Sequence, residues 1–393
     1  MRSAYVLMAL ACWVPAAAGA QQVRVGGQIR PRYEYRDPGV GPADAFTSMR
    51  VRAELAAQLE RGISAFVQIQ DVRLFGEARS TTADARTANL GLQQGYADLV
   101  VGAGMAVWGR VGRQSASFGE ERLVGALDWV QQGRSFDGAR AGVRLPFGTA
   151  DLFGFKIAEG TAPGAGDDAE FGGGYAQFTR FPLGTLDTYA LLTRVPAVGT
   201  NQGTLGARLA GRRGMLEYRV EGAYQLGERG DLPVRAFLGA AQATLAVANG
   251  RARITLWYDH LSGDDAPADG TVRVFETILA TNHKFYGYAD LFTDLPAHTG
   301  NRGLRDAAVK MALTPVAPLA FALDGHAFRV ANATGLASGR LGEEVDLTAT
   351  WKYSVNAVVT GGASWVADGP QLRALGRLRG DLLFTYLMLD VKF

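Results

Sequence analysis

The chain has 393 residues, of which 48% are hydrophobic and 20% charged, and its formal net charge is +2. Its one cysteine, Cys12, lies near the N-terminus, so disulfides, cysteine metal sites, iron–sulfur clusters and thiol nucleophiles are excluded from the rest of the chain. The small net charge indicates no nucleic-acid partner, but the basic residues are nearly all arginines, the side chain suited to multidentate contact with carboxylates and phosphates.

Residues 1–20 have the pattern of a secretory signal peptide. Arg2 precedes an apolar run from Tyr5 to Val14, and Ala18 and Ala20 form an A-x-A cleavage site. The run is too short to span a bilayer. A lipoprotein signal is rejected because Cys12 lies inside the apolar run rather than after it. We therefore predict that residues 21–393 are exported as one domain.

The exported part repeats a strict alternation of apolar and polar residues. It runs through residues 23–36, 49–59, 216–225 and 344–353, and a period of two predicts strands with two different faces. The last such segment, 383–393, ends on Phe393. An amphipathic final strand with a terminal aromatic residue resembles the C-terminus of bacterial outer-membrane proteins.

The strands of a soluble β-sandwich also alternate between apolar and polar residues, and their apolar faces pack in a shared core. Here the polar face carries arginines opposite acids rather than lysines, and the apolar face is rich in Tyr, Trp, Leu and Val throughout. Such faces suit water inside and lipid outside. The fold class predicted is all-β: a transmembrane antiparallel β-barrel of about 18 strands, at roughly twenty residues per strand and connection. A barrel of that size encloses an aqueous lumen.

Connections of two lengths alternate, which predicts short periplasmic turns and long extracellular loops. The short ones are predicted at 145–148, 181–184 and 248–250, where turn-forming residues occur. The long ones are predicted at 76–91, 113–135, 159–171, 262–304 and 331–342.

Few residues indicate catalysis or cofactor binding. A barrel hydrolase would need a serine–histidine pair; His283 and His326 are the candidates, but no motif places a serine beside them. Asp264, Asp265 and Asp269 lack the full spacing of a calcium loop. The glycines of residues 112–140 have no helix after them to form a phosphate cradle. We predict no enzyme activity, no metal and no cofactor.

The alternation places many arginines on the inner face, and rings of arginine line anion pathways in pores. The alternative is that they neutralise acids such as Glu34, Glu54 and Glu217 and brace the wall. The arginines predicted to face the lumen are Arg24, Arg30, Arg32, Arg50, Arg52, Arg110, Arg140, Arg144, Arg208 and Arg219.

Two blocks resemble the alginate-export family of outer-membrane porins. The first has GRQ at 112–114, Glu121-Arg122, Asp128-Trp129 and GRSFDGAR at 133–140. The second has WYDHLSGDD at 257–265, Phe275 and NHKFYGYADLF at 282–292.

The resemblance implies a monomeric barrel in the outer membrane of a Gram-negative-type bacterium, with lipid around it and periplasmic secretion partners. It implies passive diffusion or export of an anionic polysaccharide or other acidic solutes through an electropositive constriction. The basic groups carried over to the pore are Arg113, Arg122, Arg134, Arg140 and Lys284. Asp128 and Asp137 would hold some of these arginines by charge-assisted pairs.

The favoured function is therefore an anion-selective outer-membrane channel. Three alternatives stay open: a general nutrient-uptake porin without a polymer role, a barrel hydrolase, and an adhesive barrel that binds through its long loops.

Overall fold

The computed structural model describes residues 22–76, 90–102, 106–160 and 166–393. They form one antiparallel sheet of 18 strands in which each strand pairs with its neighbours in the chain. The strands are β1 (Gln22–Asp37), β2 (Asp44–Gln58), β3 (Ile63–Leu74), β4 (Leu90–Val101), β5 (Ala106–Gln114), β6 (Phe136–Leu145), β7 (Gly148–Ala158), β8 (Ala169–Phe181), β9 (Gly184–Val195), β10 (Thr200–Arg213), β11 (Leu216–Arg229), β12 (Leu232–Val247), β13 (Ala252–Leu261), β14 (Leu304–Val316), β15 (Leu319–Val330), β16 (Arg340–Lys352), β17 (Ala357–Asp368) and β18 (Leu382–Lys392).

The sheet is closed, because β1 pairs with both β2 and β18. At this seam Ile29 lies opposite Val391, and the Gly27 N–H donates to the Phe393 carbonyl at 2.8 Å. Closure leaves no strand edge unpaired. The predicted antiparallel barrel of about 18 strands is confirmed, whereas residues 1–20, the predicted signal peptide, lie outside the described residues.

The two faces of the barrel differ as the alternation predicts. Outward side chains are apolar and exposed, such as Val25, which is 78% exposed, and Leu152, which is 70% exposed. Inward side chains are buried: many are polar, as Arg30 of β1 and Arg50 of β2 are, and others are aromatic, as Phe153 and Phe155 of β7 are. An exposed apolar surface around an interior wall that carries buried charged residues suits a protein surrounded by lipid.

Short and long connections lie at opposite ends of the barrel. The short turns include 146–147, 182–183 and 248–251, which agrees with the sequence prediction. The long loops include 115–135, 262–303 and 331–339. A further loop, 369–381, was not predicted, and it contains the short helix α2 (Pro370–Ala374). The other α-helix, α1 (Leu295–His298), lies in loop 262–303.

The hydrophobic core lies inside the barrel and not between sheets. Loops 115–135 and 262–303 supply side chains that are at most 7% exposed, among them Phe118, Leu123, Phe285 and Phe292. Phe292 packs on Phe328 of β15, with ring centroids 4.7 Å apart. The two long loops therefore fold inward and narrow the lumen. Among the described residues, no helix is long and apolar enough to cross a membrane.

Candidate channel constriction

The two inserted loops are joined by backbone hydrogen bonds. Leu279 N–H donates to the Leu123 carbonyl at 3.0 Å, and Gly125 N–H donates to the Leu279 carbonyl at 2.9 Å. Arg134 donates from its guanidinium to the carbonyls of Leu279 and Gly125. The loops thus form one unit, called here the constriction, whose position depends on contacts with the inner wall.

Three arginines of β1 and β2 converge on one carboxylate at the tip of loop 115–135. Asp128 lies 2.9 Å from Arg50, 3.2 Å from Arg52 and 3.6 Å from Arg30. Arg30 also donates to the Asp128 carbonyl at 2.8 Å. Burial alone would raise the pKa of Asp128, but the charges of these arginines, Arg50 foremost, outweigh it and hold that pKa below its usual range. Asp128 neutralises one of the three arginine charges, so the group of Arg30, Arg50, Arg52 and Asp128 has a net charge of +2.

Trp129, the next residue, is held between a cation and an aromatic ring. The Arg32 guanidinium lies 4.3 Å from the centroid of one Trp129 ring, and His283 of the other loop stacks on Trp129 at 4.0 Å. Arg32 also pairs with Glu34 at 2.8 Å. His283 contacts Asp290 at 2.9 Å through Nδ1. This stack attaches both loops to β1.

Arg122 attaches the constriction to the opposite wall. Its guanidinium lies 2.5 Å from Asp259 of β13 and 3.2 Å from Glu221 of β11, and it donates to the Tyr286 hydroxyl at 3.2 Å. The three charged side chains are at most 5% exposed. Arg122 is therefore enclosed between loop and wall.

Glu120 makes a third attachment. It accepts from Arg208 of β10 at 2.7 Å and from Arg219 of β11. Lys284 donates to the Glu120 carbonyl at 3.2 Å, so the second loop shares this anchor. Arg208 is also bound by Asp187 of β9 at 2.6 Å.

A model of the alginate-export family matches residues 21–334. The chain belongs to the alginate-export family. This confirms the resemblance carried by the two sequence blocks. The alginate-export barrel is an outer-membrane channel, and its family and fold are those of porins. A comparison with curated proteins found no match.

Solved porin structures share the fold of this alginate-export barrel at low sequence identity. OccK3 (OpdO) of Pseudomonas aeruginosa has a TM-score of 0.64 and 16% identity, covering 95% of this chain and 96% of its own. OccAB4 of Acinetobacter baumannii has a TM-score of 0.65 and 11% identity, with 95% and 98% covered. OpdK of Pseudomonas aeruginosa, solved with vanillate, has a TM-score of 0.64 and 14% identity, with 95% and 99% covered.

Three further predicted site residues of the alginate-export barrel lie in separate ion pairs. Arg113 pairs with Asp137 at 2.6 Å, Arg110 with Asp98 at 2.6 Å, and Arg140 with Asp151 at 3.4 Å.

The predicted acids differ in what they bind. Asp137 holds Arg113, one of the arginines carried over from the family, whereas Asp128 holds Arg30, Arg50 and Arg52 instead. Glu54 accepts from Gln68 at 2.8 Å. Pairing across the barrel depends on where the loop tip lies, which residue spacing does not reveal.

Sequence reasoning missed several residues of the constriction. Glu120, Glu221 and Asp259 hold the loops but were not singled out, and neither was Trp129 as a stacking partner. The available signal was the aromatic content of NHKFYGYADLF, which is unusual for a solvated loop.

The candidate catalytic histidines of the alginate-export barrel are engaged elsewhere. His326 contacts Asp306 at 2.9 Å, and both side chains are 0% exposed, so a substrate cannot reach them. His283 is stacked beneath Trp129. In loop 262–270, Asp264, Asp265 and Asp269 surround Arg273 at 3.9, 3.7 and 2.7 Å. No cluster of three potential metal ligands occurs in the part of the chain that the structure describes.

Glu120 predicts how the anchoring of loop 115–135 depends on pH. Burial alone would raise the pKa of Glu120, but Arg219 and Arg208 outweigh it, so that pKa lies below its usual range. A carboxylate with a lowered pKa adds stability above the unfolded-state pKa, about 4.3 for Glu, and loses it as the pH falls through the folded-state value. We expect wild type to be more stable than Glu120→Gln by a constant margin between pH 8 and about 5. The margin should begin to shrink as the pH falls below about 4.3 and should vanish once the pH is below the folded-state pKa of Glu120.

Thermal unfolding of both proteins across this pH range is the measurement. A margin that already shrinks between pH 7 and about 5.5 would contradict the assignment, because groups with the pKa of histidine would then be responsible.

Proposed function

We propose that this outer-membrane channel conducts acidic solutes, such as carboxylated sugars, by passive diffusion past the constriction. The observation that carries the proposal is the group of Arg30, Arg50 and Arg52 around the one carboxylate of Asp128. An excess of positive charge at the narrow part of a pore favours anions over cations.

The other pairs contribute in a different way. Arg32 with Glu34 and Arg113 with Asp137 are each neutral as a pair, so they brace the wall without adding net charge. Arg134 lies in carbonyl contacts rather than in an ion pair. It adds a further positive charge to the joined loops. Guanidiniums presented in several places can pass a carboxylate along without holding it tightly.

The test uses Arg52→Gln, because Arg52 is the most exposed arginine of the three around Asp128, at 13%. Single-channel reversal potentials under a KCl gradient report the permeability ratio of anion to cation. We expect wild type to prefer anions. The permeability ratio of anion to cation should be about fivefold lower in the variant, if one charge alters the local ion energy by about 1 kcal/mol.

Arg213→Gln is the matched control, since Arg213 is exposed at the short-turn end of β10 and should leave the ratio unchanged. A cation-selective wild-type channel would refute the proposal. If Arg52→Gln and Arg213→Gln lower the anion preference equally, the group around Asp128 does not determine the selectivity of the channel.

A second candidate function is uptake of small acidic nutrients with no role in polymer passage. The observation in its favour is that two loops with a buried aromatic core occupy the lumen. Among the structural relatives, OpdK was solved with vanillate. Liposomes that contain the channel separate the two candidates. Uptake of monomeric uronate with exclusion of oligouronates favours the nutrient role, whereas oligouronates that block or pass the channel favour the polymer role.

We also propose that residues 1–20 are a cleaved signal peptide and that the barrel works as a monomer. A closed barrel encloses its own lumen, so no second copy is required for a pathway. Mass spectrometry of the mature protein tests the cleavage site. A mass that corresponds to residues 21–393 would support it, and a mass that corresponds to another N-terminus would refute it.

A further inference from the structure

A row of basic side chains lies on the outside of the barrel at the long-loop end. Arg305 is the second residue of β14 and Arg329 the last but one of β15, and the two are directly opposite in the strand register. His260 of β13 is opposite Arg305 on its other side. Arg305 and Arg329 are exposed, whereas their neighbours Asp306 and Phe328 are buried inside. The two arginines therefore face outward.

Neither guanidinium forms an ion pair or a side-chain hydrogen bond with the residues that the structure describes. One acid stands on the same face, Glu343 of β16. Arg340 binds it through Nε at 2.8 and 2.9 Å, and Arg329 attracts it only through space, without a hydrogen bond or ion pair. Like charges directly opposite in a strand pair destabilise a sheet. Two unpaired arginines in this position therefore indicate an anionic ligand.

A groove continues from this row toward the middle of the barrel on the same strands. Beyond the arginines the outward residues of β14 and β15 become small: Ala307, Gly325 and Ala327. Glu343 of β16, opposite Ala327, borders them and is held by Arg340. Larger apolar side chains flank them, including Tyr258 and Val309. The groove has a volume of about 540 Å³ and is mainly apolar. Its surface is that of the lipid-facing side of the barrel, where Val309 is 45% exposed.

We propose that this face binds a phosphorylated lipid of the outer leaflet, of the lipid A type. Arg305 and Arg329 bind a headgroup phosphate, and an acyl chain lies in the groove over Gly325. Guanidinium groups suit phosphate because they donate two parallel hydrogen bonds. Basic pockets at the membrane surface bind lipid headgroups in the same way. The inference concerns the outer surface, so it does not depend on what passes through the lumen.

The positions of the arginines and the groove along the barrel axis favour a lipid over other ligands. The charge lies at the extracellular end and the apolar groove lies deeper, which matches the order of phosphate and acyl chain in a lipid of the outer leaflet. A second copy of the chain would bring the same positive row and be repelled. A free phosphate would leave the groove unfilled.

The test measures binding of diphosphoryl lipid A to the detergent-purified full barrel by native mass spectrometry. The double variant Arg305→Gln/Arg329→Gln should bind at least about tenfold more weakly, since two charge-assisted contacts are lost. The control is Arg213→Gln/Arg251→Gln, which removes the same charge from exposed arginines at the opposite end of the barrel. It should bind as wild type does.

A second variant tests the groove without altering charge. A Cβ at Gly325 would meet only the Val309 carbonyl, 3.9 Å away, so Gly325→Leu can fold while it fills the groove. It should weaken binding of lipid A but not of a bisphosphorylated glucosamine disaccharide without acyl chains. Wild-type affinity in either variant would overturn the proposal. The disaccharide binding wild type as tightly as lipid A does would also overturn it.

Discussion

Arg122→Met is expected to lower the free energy of unfolding by about 3–5 kcal/mol. It removes the cation that pairs with the buried Glu221 and Asp259, and Glu221 keeps only a neutral donor, the Tyr189 hydroxyl at 3.0 Å. Both acids bind the Arg122 guanidinium, and neither is more than 5% exposed. The variant also loses the attachment of loop 115–135 to the wall at β11 and β13. We therefore expect a larger single-channel conductance as well as a lower melting temperature.

Two further variants make this prediction specific. Arg194→Gln breaks the ion pair between Arg194 and Glu170, whose side chains are 45% and 48% exposed, and exposed pairs contribute at most about 1 kcal/mol. Arg122→Met combined with Glu221→Gln and Asp259→Asn removes the buried charges and should recover much of the lost stability. If the triple variant is no more stable than Arg122→Met, uncompensated charge is not the cause.

Asp128→Asn is expected to increase the preference of the channel for anions severalfold. It removes the one carboxylate that Arg30, Arg50 and Arg52 share, so the net charge of the group rises from two to three. The asparagine keeps the shape of the side chain, and the Asp128 carbonyl still accepts from Arg30. Reversal potentials under a salt gradient measure the change in selectivity.

Asp137→Asn is the matched control for this change. Its side chain is 59% exposed, as that of Asp128 is, but among the described residues it pairs only with Arg113. Both variants lose one negative charge, so equal changes in selectivity would mean that the position of the Asp128 group does not matter.

The barrel could be predicted from sequence because its physics is local. Alternation along a strand depends on neighbours two residues away, so residues 23–36 already indicate a polar and an apolar face. The turns at 145–148 and 181–184 follow from local turn residues in the same way. The strand number then follows from chain length.

The constriction could not be predicted to the same extent, because its contacts join distant residues. Arg122 meets Asp259, and Arg50 meets Asp128, across 137 and 78 positions of sequence. Residues 262–304 were predicted as a long extracellular loop, and the sequence did not show whether that loop turns inward; Phe285, Tyr286 and Phe292 lie buried inside the barrel. Whether a loop turns inward depends on how much apolar surface it buries against the opposite wall of the barrel. No local sequence pattern encodes that quantity.

The seam between β1 and β18 also constrains how this chain reaches its membrane. Strand β1 can complete its pairing only when β18 is in place. A nascent or truncated barrel therefore has two unpaired strand edges until Phe393 pairs with Gly27. Open edges attract other strands, and contacts between chain ends form slowly. We therefore expect the pairing of β1 with β18 to be the last step in the assembly of the barrel.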